Sequence, residues 1–154
     1  PPPENEEPVV TPPSESSIPN AQHSKAGLTT GGQPSEEQLK ALAKEGTKTV
    51  VNLRAEVLAF DEAALVKSLG MAYHSIPVQG ADGLTPANVD ALDKLLKDSA
   101  NYPIVVHCKS GNRVGALFAL IAHNDGLSPD QAIEAGRRTG LTSLESTVKT
   151  LIGK

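Results

Sequence analysis

Seven consecutive residues, His107-Cys108-Lys109-Ser110-Gly111-Asn112-Arg113, hold the side chains best suited to chemistry. Cys108 is the only cysteine in the chain, so it has no internal disulfide partner. A single sulfur also falls short of the three or four ligands that a zinc site takes. It is therefore either an inert small hydrophobe or a nucleophile. Arg113 favours the nucleophile, because a tight turn through Lys109, Ser110, Gly111 and Asn112 would fold its guanidinium back over the thiol. Gly111 allows the positive φ that such a turn needs. Backbone N–H groups of a turn running into a helix point inward as an anion cradle, and the planar Arg113 fork matches two oxygens of one oxyanion. The same positive field favours the thiolate. A thiolate facing a bound oxyanion is set up for group transfer.

Such a loop needs a strand to deliver the thiol and a helix to begin at the arginine. Pro103–His107 (PIVVH) is a short, wholly apolar run of the kind found in a sheet covered on both faces. Val114–Ala122 (VGALFALIA), apolar nearly all round, predicts a central buried helix. The alternation continues upstream. Residues 22–32 have room for a short edge strand. Ser35-Glu36-Glu37-Gln38 has capping-box spacing ahead of Leu39, Leu42 and Ala43, and Gly46 ends that helix. Thr47–Leu53 is β-branched and apolar, and it delivers Arg54 at its C-terminal end. Asp61–Leu69 reads as helix stopped by Gly70. Ala72–Val78 reads as a strand limited by Pro77, and Thr85-Pro86 starts a helix over 86–99. Ser128-Pro129 and Thr142-Ser143 cap two more. Strands interleaved with helices imply an α/β fold, a central and mainly parallel sheet flanked by helices, with ligands at the carboxyl ends of the strands. Arg54, the stretch after Val78 and the Cys108 loop all leave strands at such ends, so they should converge on one cleft.

Bulk properties narrow the partners. The 154 residues suit one domain, and 14 Lys+Arg against 18 Asp+Glu give a net charge of −4. That balance offers no broad surface for polyanions, so nucleic acid is not an expected partner. No stretch approaches the roughly 18 apolar residues of a membrane span. Residues 1–21, rich in Pro, Glu and Ser, read as a disordered tether, and 22–154 as a single domain. A polar, proline-rich start without methionine fits a removed export signal and equally a trimmed start, which slightly favours an exported, periplasmic location over a cytoplasmic one. Nothing in the composition indicates an oligomeric state.

The HC-x-SG-x-R loop resembles the signature of cysteine-dependent phosphatases of the protein-tyrosine and dual-specificity superfamily, with one residue fewer between Cys108 and Arg113. The shorter form looks like the beta-lactamase-hydrolase-like phosphatase family, which are bacterial dual-specificity-like domains. GGQPSEEQL (31–39), VVNLR (50–54) and YHSIPV (73–78) agree with that family in order and spacing. The resemblance implies a phosphatase-like hydrolase acting on a phosphate-containing or other oxyanion substrate, with no cofactor and no metal. Cys108 would attack phosphorus to give a thiophosphate intermediate that water cleaves. Arg113 and the loop formed by Lys109, Ser110, Gly111 and Asn112 would bind the substrate, with Arg54 beside them and His107 ordering the loop.

Two positions depart from the pattern. The superfamily places an aspartate general acid beyond a strand like SIPV, whereas Gln79 follows Val78 here and Asp82 in QGADG is the nearest candidate. Val114 stands where a hydroxyl residue usually follows the arginine. Two other activities fit the loop: rhodanese-like sulfur transfer through a Cys108 persulfide, and non-catalytic anion binding in an interaction domain.

Overall fold

The computed structural model describes residues 17–153. Five strands, β1 (Gln22–Lys25), β2 (Leu28–Gly31), β3 (Thr49–Arg54), β4 (Ala72–Val78) and β5 (Ile104–His107), form one sheet in the order β1-β2-β5-β3-β4. Only β1 runs antiparallel to its neighbour; β2, β5, β3 and β4 pair in parallel. Six helices accompany them: α1 (Glu36–Lys44), α2 (Glu62–Ser68), α3 (Pro86–Lys97), α4 (Asn112–Asn124), α5 (Pro129–Thr139) and α6 (Glu145–Leu151). Two 3₁₀ turns, Gly80–Gly83 and Ser99–Asn101, complete the set. Among the described residues, no helix is long and apolar enough to cross a membrane.

The apolar β5 occupies the middle of the sheet and is buried along its whole length. Because side chains alternate across a strand, Val105 joins Val50, Leu39, Leu42 and Val66 beneath α1 and α2, while Val106 joins Val51, Leu92, Leu117 and Ile133 beneath α3, α4 and α5. The expected three-layer α/β architecture is therefore present. Register decides where the site forms. Gly31 of β2, His107 of β5 and Asn52 of β3 lie abreast, and Arg54 lies beside Val78 of β4. Every strand that carries a candidate residue ends at the same rim.

Local chemistry accounts for most boundaries. Ser35 and Gln38 make the reciprocal bonds of a capping box, and Ser128 with Gln131 repeats it ahead of Pro129. Thr85 caps α3 through its side chain.

Two expectations are corrected. Residues 22–32 form a hairpin of two strands, with β2 inside the sheet, because the short LTTG run finds a parallel partner in β5. The last helix begins at Glu145 behind Leu144, since Thr142 and Ser143 are engaged by Asn112 instead of capping. Packing also reaches residues ahead of 22. Ile18 is 4 % exposed and packs with Leu39 and Val50, Pro19 accepts a bond from the Gly32 N–H at 2.7 Å, and burying such a side chain stabilises by about 1.5–3 kcal/mol. The remainder of the expected tether, residues 1–16, and any export signal ahead of it lie outside the described residues.

Candidate functional site

The Cys108 loop joins the end of β5 to the start of α4, and three separate elements hold its carbonyls outward. The Cys108 carbonyl faces Nδ1 of the His107 ring at 3.2 Å. The Lys109 carbonyl accepts from the Gln33 backbone N–H at 3.1 Å, and the Ser110 carbonyl accepts from the Asn20 side-chain amide at 2.9 Å. A trans peptide points its C=O and its N–H in opposite directions. Anchoring these carbonyls behind the loop therefore aims the Lys109, Ser110 and Gly111 N–H groups into it. The Gly111 N–H is seen there, donating to the Cys108 sulfur at 3.0 Å.

Gly111 has φ of 101° and serves as N-cap of α4, a conformation that L side chains rarely adopt. The free N–H groups of the first α4 turn open onto the same space. Cys108 itself is 1 % exposed, so the thiol sits at the floor of the cradle. The floor is supported from below as well: a Cβ on Gly140 would stand 2.6 Å from the Gly111 carbonyl oxygen.

Arg113, in the first turn of α4, spends part of its donor set on the protein. Nη1 donates to Glu56 Oε1 at 2.9 Å and to the Val78 carbonyl at 3.0 Å, and Nη2 donates to Glu56 Oε2 at 3.0 Å. Of five guanidinium N–H groups, Nε–H and one on Nη2 remain, and these lie along one edge as a fork for two oxygens. The pairing with Glu56 and, next, the charge of the neighbouring Cys108 sulfur raise the Arg113 pKa above the ordinary arginine value. Conversely, the hydrogen bond from Arg113 holds the Glu56 carboxyl well below the usual carboxylate range. Glu56 is thus an ionised strut that fixes the guanidinium, and it carries no proton to give a leaving group.

Arg54 reaches the same carboxylate, with Nε on Glu56 Oε2 at 2.9 Å and Nη1 on Gln33 Oε1 at 3.1 Å. Gln33 in turn donates to Glu62 Oε1 at 2.6 Å, and Glu62 Oε2 lies 2.6 Å from His107 Nε2. A continuous chain of hydrogen bonds thereby runs from the back of the nucleophile loop, through His107, Glu62, Gln33, Arg54 and Glu56, to Arg113 at its front.

The structure therefore brings Cys108, Gly111, Arg113, Arg54 and His107 together. Lys109 and Ser110 expose their side chains at the rim. Asp82 lies on the 3₁₀ turn just beyond β4, exposed and with no side-chain partner among the described residues. That turn folds back tightly: a Cβ on Gly83 would meet the Val78 Cα at 2.8 Å, which keeps Asp82 next to the strand end that touches Arg113. Asn112 is the exception. Its side chain turns away to the α5–α6 connection, donating to Ser143 Oγ at 2.7 Å and accepting from the Thr142 and Leu144 N–H groups at 2.9 and 3.2 Å. Its side chain braces the fold instead of lining the cradle, because a carboxamide can donate to one hydroxyl oxygen and accept from two backbone N–H groups at once.

Asn20, Gln33, Glu56 and Glu62 were not singled out by sequence reasoning as site residues. Only Gln33 carried a signal, as part of the GGQP stretch.

Comparison with known proteins follows the same lines. The model of the family described as DSP-PTPase phosphatase fused to NAD+ kinase matches residues 5–149. A beta-lactamase hydrolase-like protein of Xylella fastidiosa is 30 % identical over 114 residues, which is 70 % of this chain but 26 % of that protein. The chain thus spans about a quarter of the length of such curated relatives. Among solved structures, the core catalytic domain of the PP-IP phosphatase SIW14 from S. cerevisiae, in complex with citrate, superposes with a TM-score of 0.69 at 21 % identity, covering 88 % of this chain and 86 % of that one. TpbA of P. aeruginosa, in complex with pTyr, gives 0.66 at 21 % identity, with 94 % and 86 % covered.

Proposed function

We propose, from the premise that the chain belongs to the family of DSP-PTPase phosphatases fused to NAD+ kinase, that it hydrolyses phosphate monoesters through a covalent intermediate on Cys108. The observation that carries this reading is the joint placement on the Cys108 sulfur of the Gly111 N–H and of the Arg113 guanidinium, whose donors are only partly taken up by Glu56 and Val78. The inward N–H groups and that edge hold the three non-bridging oxygens of the substrate, and they gain most as charge develops on them in the transition state. The Cys108 thiolate forms the S–P bond as the ester P–O bond breaks. Asp82, on its turn beside Val78, supplies the proton that the departing oxygen needs. Water then attacks phosphorus, returning the thiolate and free phosphate. Arg54 acts chiefly through Glu56, keeping Arg113 in its working orientation.

Turnover of p-nitrophenyl phosphate against thiosulfate tests the reaction class. Hydrolysis of the ester, its loss in Cys108→Ser, and slower alkylation of Cys108 in the presence of phosphate or vanadate are the expected results. Thiosulfate turnover without ester hydrolysis would assign the site to sulfur transfer. Asp82→Asn tests the acid: aryl phosphates with poor leaving groups should slow by about 10²–10⁴-fold, and those with good leaving groups far less. Equal, small effects on both would remove Asp82 from the mechanism.

A further inference from the structure

Glu62 and His107 are both fully buried, their side chains 0 % exposed, with Oε2 and Nε2 2.6 Å apart. No step of the proposed hydrolysis uses this carboxylate, although a lone buried carboxylate is costly and needs a reason to persist. The hydrogen-bond roles around the pair fix how many protons it holds. A carbonyl can only accept, so Nδ1 of His107 must carry a proton to engage the Cys108 carbonyl. If Nε2 were bare, its lone pair would face a carboxylate oxygen at 2.6 Å, and the contact would be repulsive. A second proton therefore lies between Nε2 and Oε2. The Gln33 amide donates to the other carboxylate oxygen, Glu62 Oε1, so that both oxygens of the buried carboxyl are engaged.

We propose, building on the cysteine-centred reading above, that Glu62 is a positioning residue that keeps His107 doubly protonated. The nucleophile loop is then backed by an imidazolium whose positive end lies nearest Cys108 and whose counter-charge is set one side chain further back. The arrangement does two things. It locks the Cys108 carbonyl outward, which aims the Lys109 N–H inward, and it presents a net positive field to the sulfur from behind, opposite to Arg113.

Glu62→Gln isolates the charge. The glutamine carbonyl still accepts from Gln33 and its amide donates to a bare Nε2, so every hydrogen bond survives and His107 becomes neutral. In the wild-type protein, nitrogen-15 NMR should show slowly exchanging protons on both ring nitrogens of His107. In folded Glu62→Gln, the Nε2 proton should vanish while the Nδ1 proton stays, and alkylation of Cys108 by iodoacetamide at neutral pH should slow about fivefold, the scale of a displaced charge pair at protein dielectric. The double variant His107→Asn with Glu62→Gln keeps an amide for the Cys108 carbonyl without charge, and it should slow alkylation by the same factor.

A single N–H on wild-type His107, which needs no variant to fold, overturns the proposal. So does an unchanged alkylation rate in Glu62→Gln, or a further large loss in the double variant. None of these readouts uses a substrate, so a chain that turned over thiosulfate instead of an ester would leave the result for Glu62 standing.

Discussion

Arg113→Lys is a demanding test of the cradle because the structure counts the donors. Arg113 gives three N–H groups to Glu56 and Val78 and keeps two, side by side, for substrate. An ammonium has three donors in all and no planar edge. If it remains on Glu56 and Val78, at most one donor is left for the oxyanion; if it turns to substrate, the strut is lost. One or both of two charge-assisted hydrogen bonds therefore disappear in the transition state. Each is worth about 1.5–3 kcal/mol, so kcat/KM for p-nitrophenyl phosphate should fall by about 10²–10⁴-fold when both are lost. Arg113 is 15 % exposed and Glu56 40 % exposed, so solvent screens their pairing. The variant should lose only a few degrees of Tm, since about 1 kcal/mol corresponds to roughly 2–4 °C at this size. The assays are steady-state kinetics, inhibition by vanadate, and a thermal scan. A folded Arg113→Lys protein with kcat/KM within about threefold of wild type would refute the fork and the donor count on which it rests.

Glu56 should make stability pH-dependent in a defined direction. The hydrogen bond from Arg113 holds its folded-state carboxyl well below the ordinary value, so its contribution is complete above the unfolded carboxylate value of about 4.3 and is lost as pH falls below that. Wild-type Tm should therefore drop more steeply than that of Glu56→Gln below about pH 4, and parallel curves from neutral pH downward would contradict the pairing. Removing residues 1–20 takes Ile18 out of the core and Asn20 off the loop. Tm should fall by about 4–10 °C, from the roughly 1.5–3 kcal/mol of one buried aliphatic side chain. An unchanged Tm would mean that this segment contributes nothing to the fold.

What the sequence revealed and what it hid have a common physical cause. Capping boxes, the β-branched run of β3 and the apolar β5 are local patterns, and they gave element types with boundaries shifted by a residue or two. The pairing of Cys108 with Arg113 is also local, spanning one loop. Glu62 looks like an ordinary first-turn acid on a short amphipathic helix, and its burial depends on a histidine 45 positions away. Glu56 looks like a solvated residue after a strand, yet it meets Arg113 across 57 positions. Asn20 sits in a stretch whose composition resembles a linker. Asn112 shows the opposite case: its place inside the loop suggests a ligand contact, whereas the α5–α6 connection, 30 positions on, captures its side chain. Pairings that exist only after the sheet orders its strands leave no periodic trace.

The bond from Asn20 to the Ser110 carbonyl joins residues 90 positions apart, and this bears on when the cradle comes into being. Helices and neighbouring strands form from short-range contacts, while a closure of that length adds an entropic cost that only the finished sheet can offset. The loop carbonyl that Asn20 holds is free until residues 18–20 dock beside the end of the last strand. Anion affinity should accordingly be regained at the end of refolding, after the helices. In the native protein, fraying at Asn20 would release the Ser110 carbonyl while the core beneath α3, α4 and α5 stays packed.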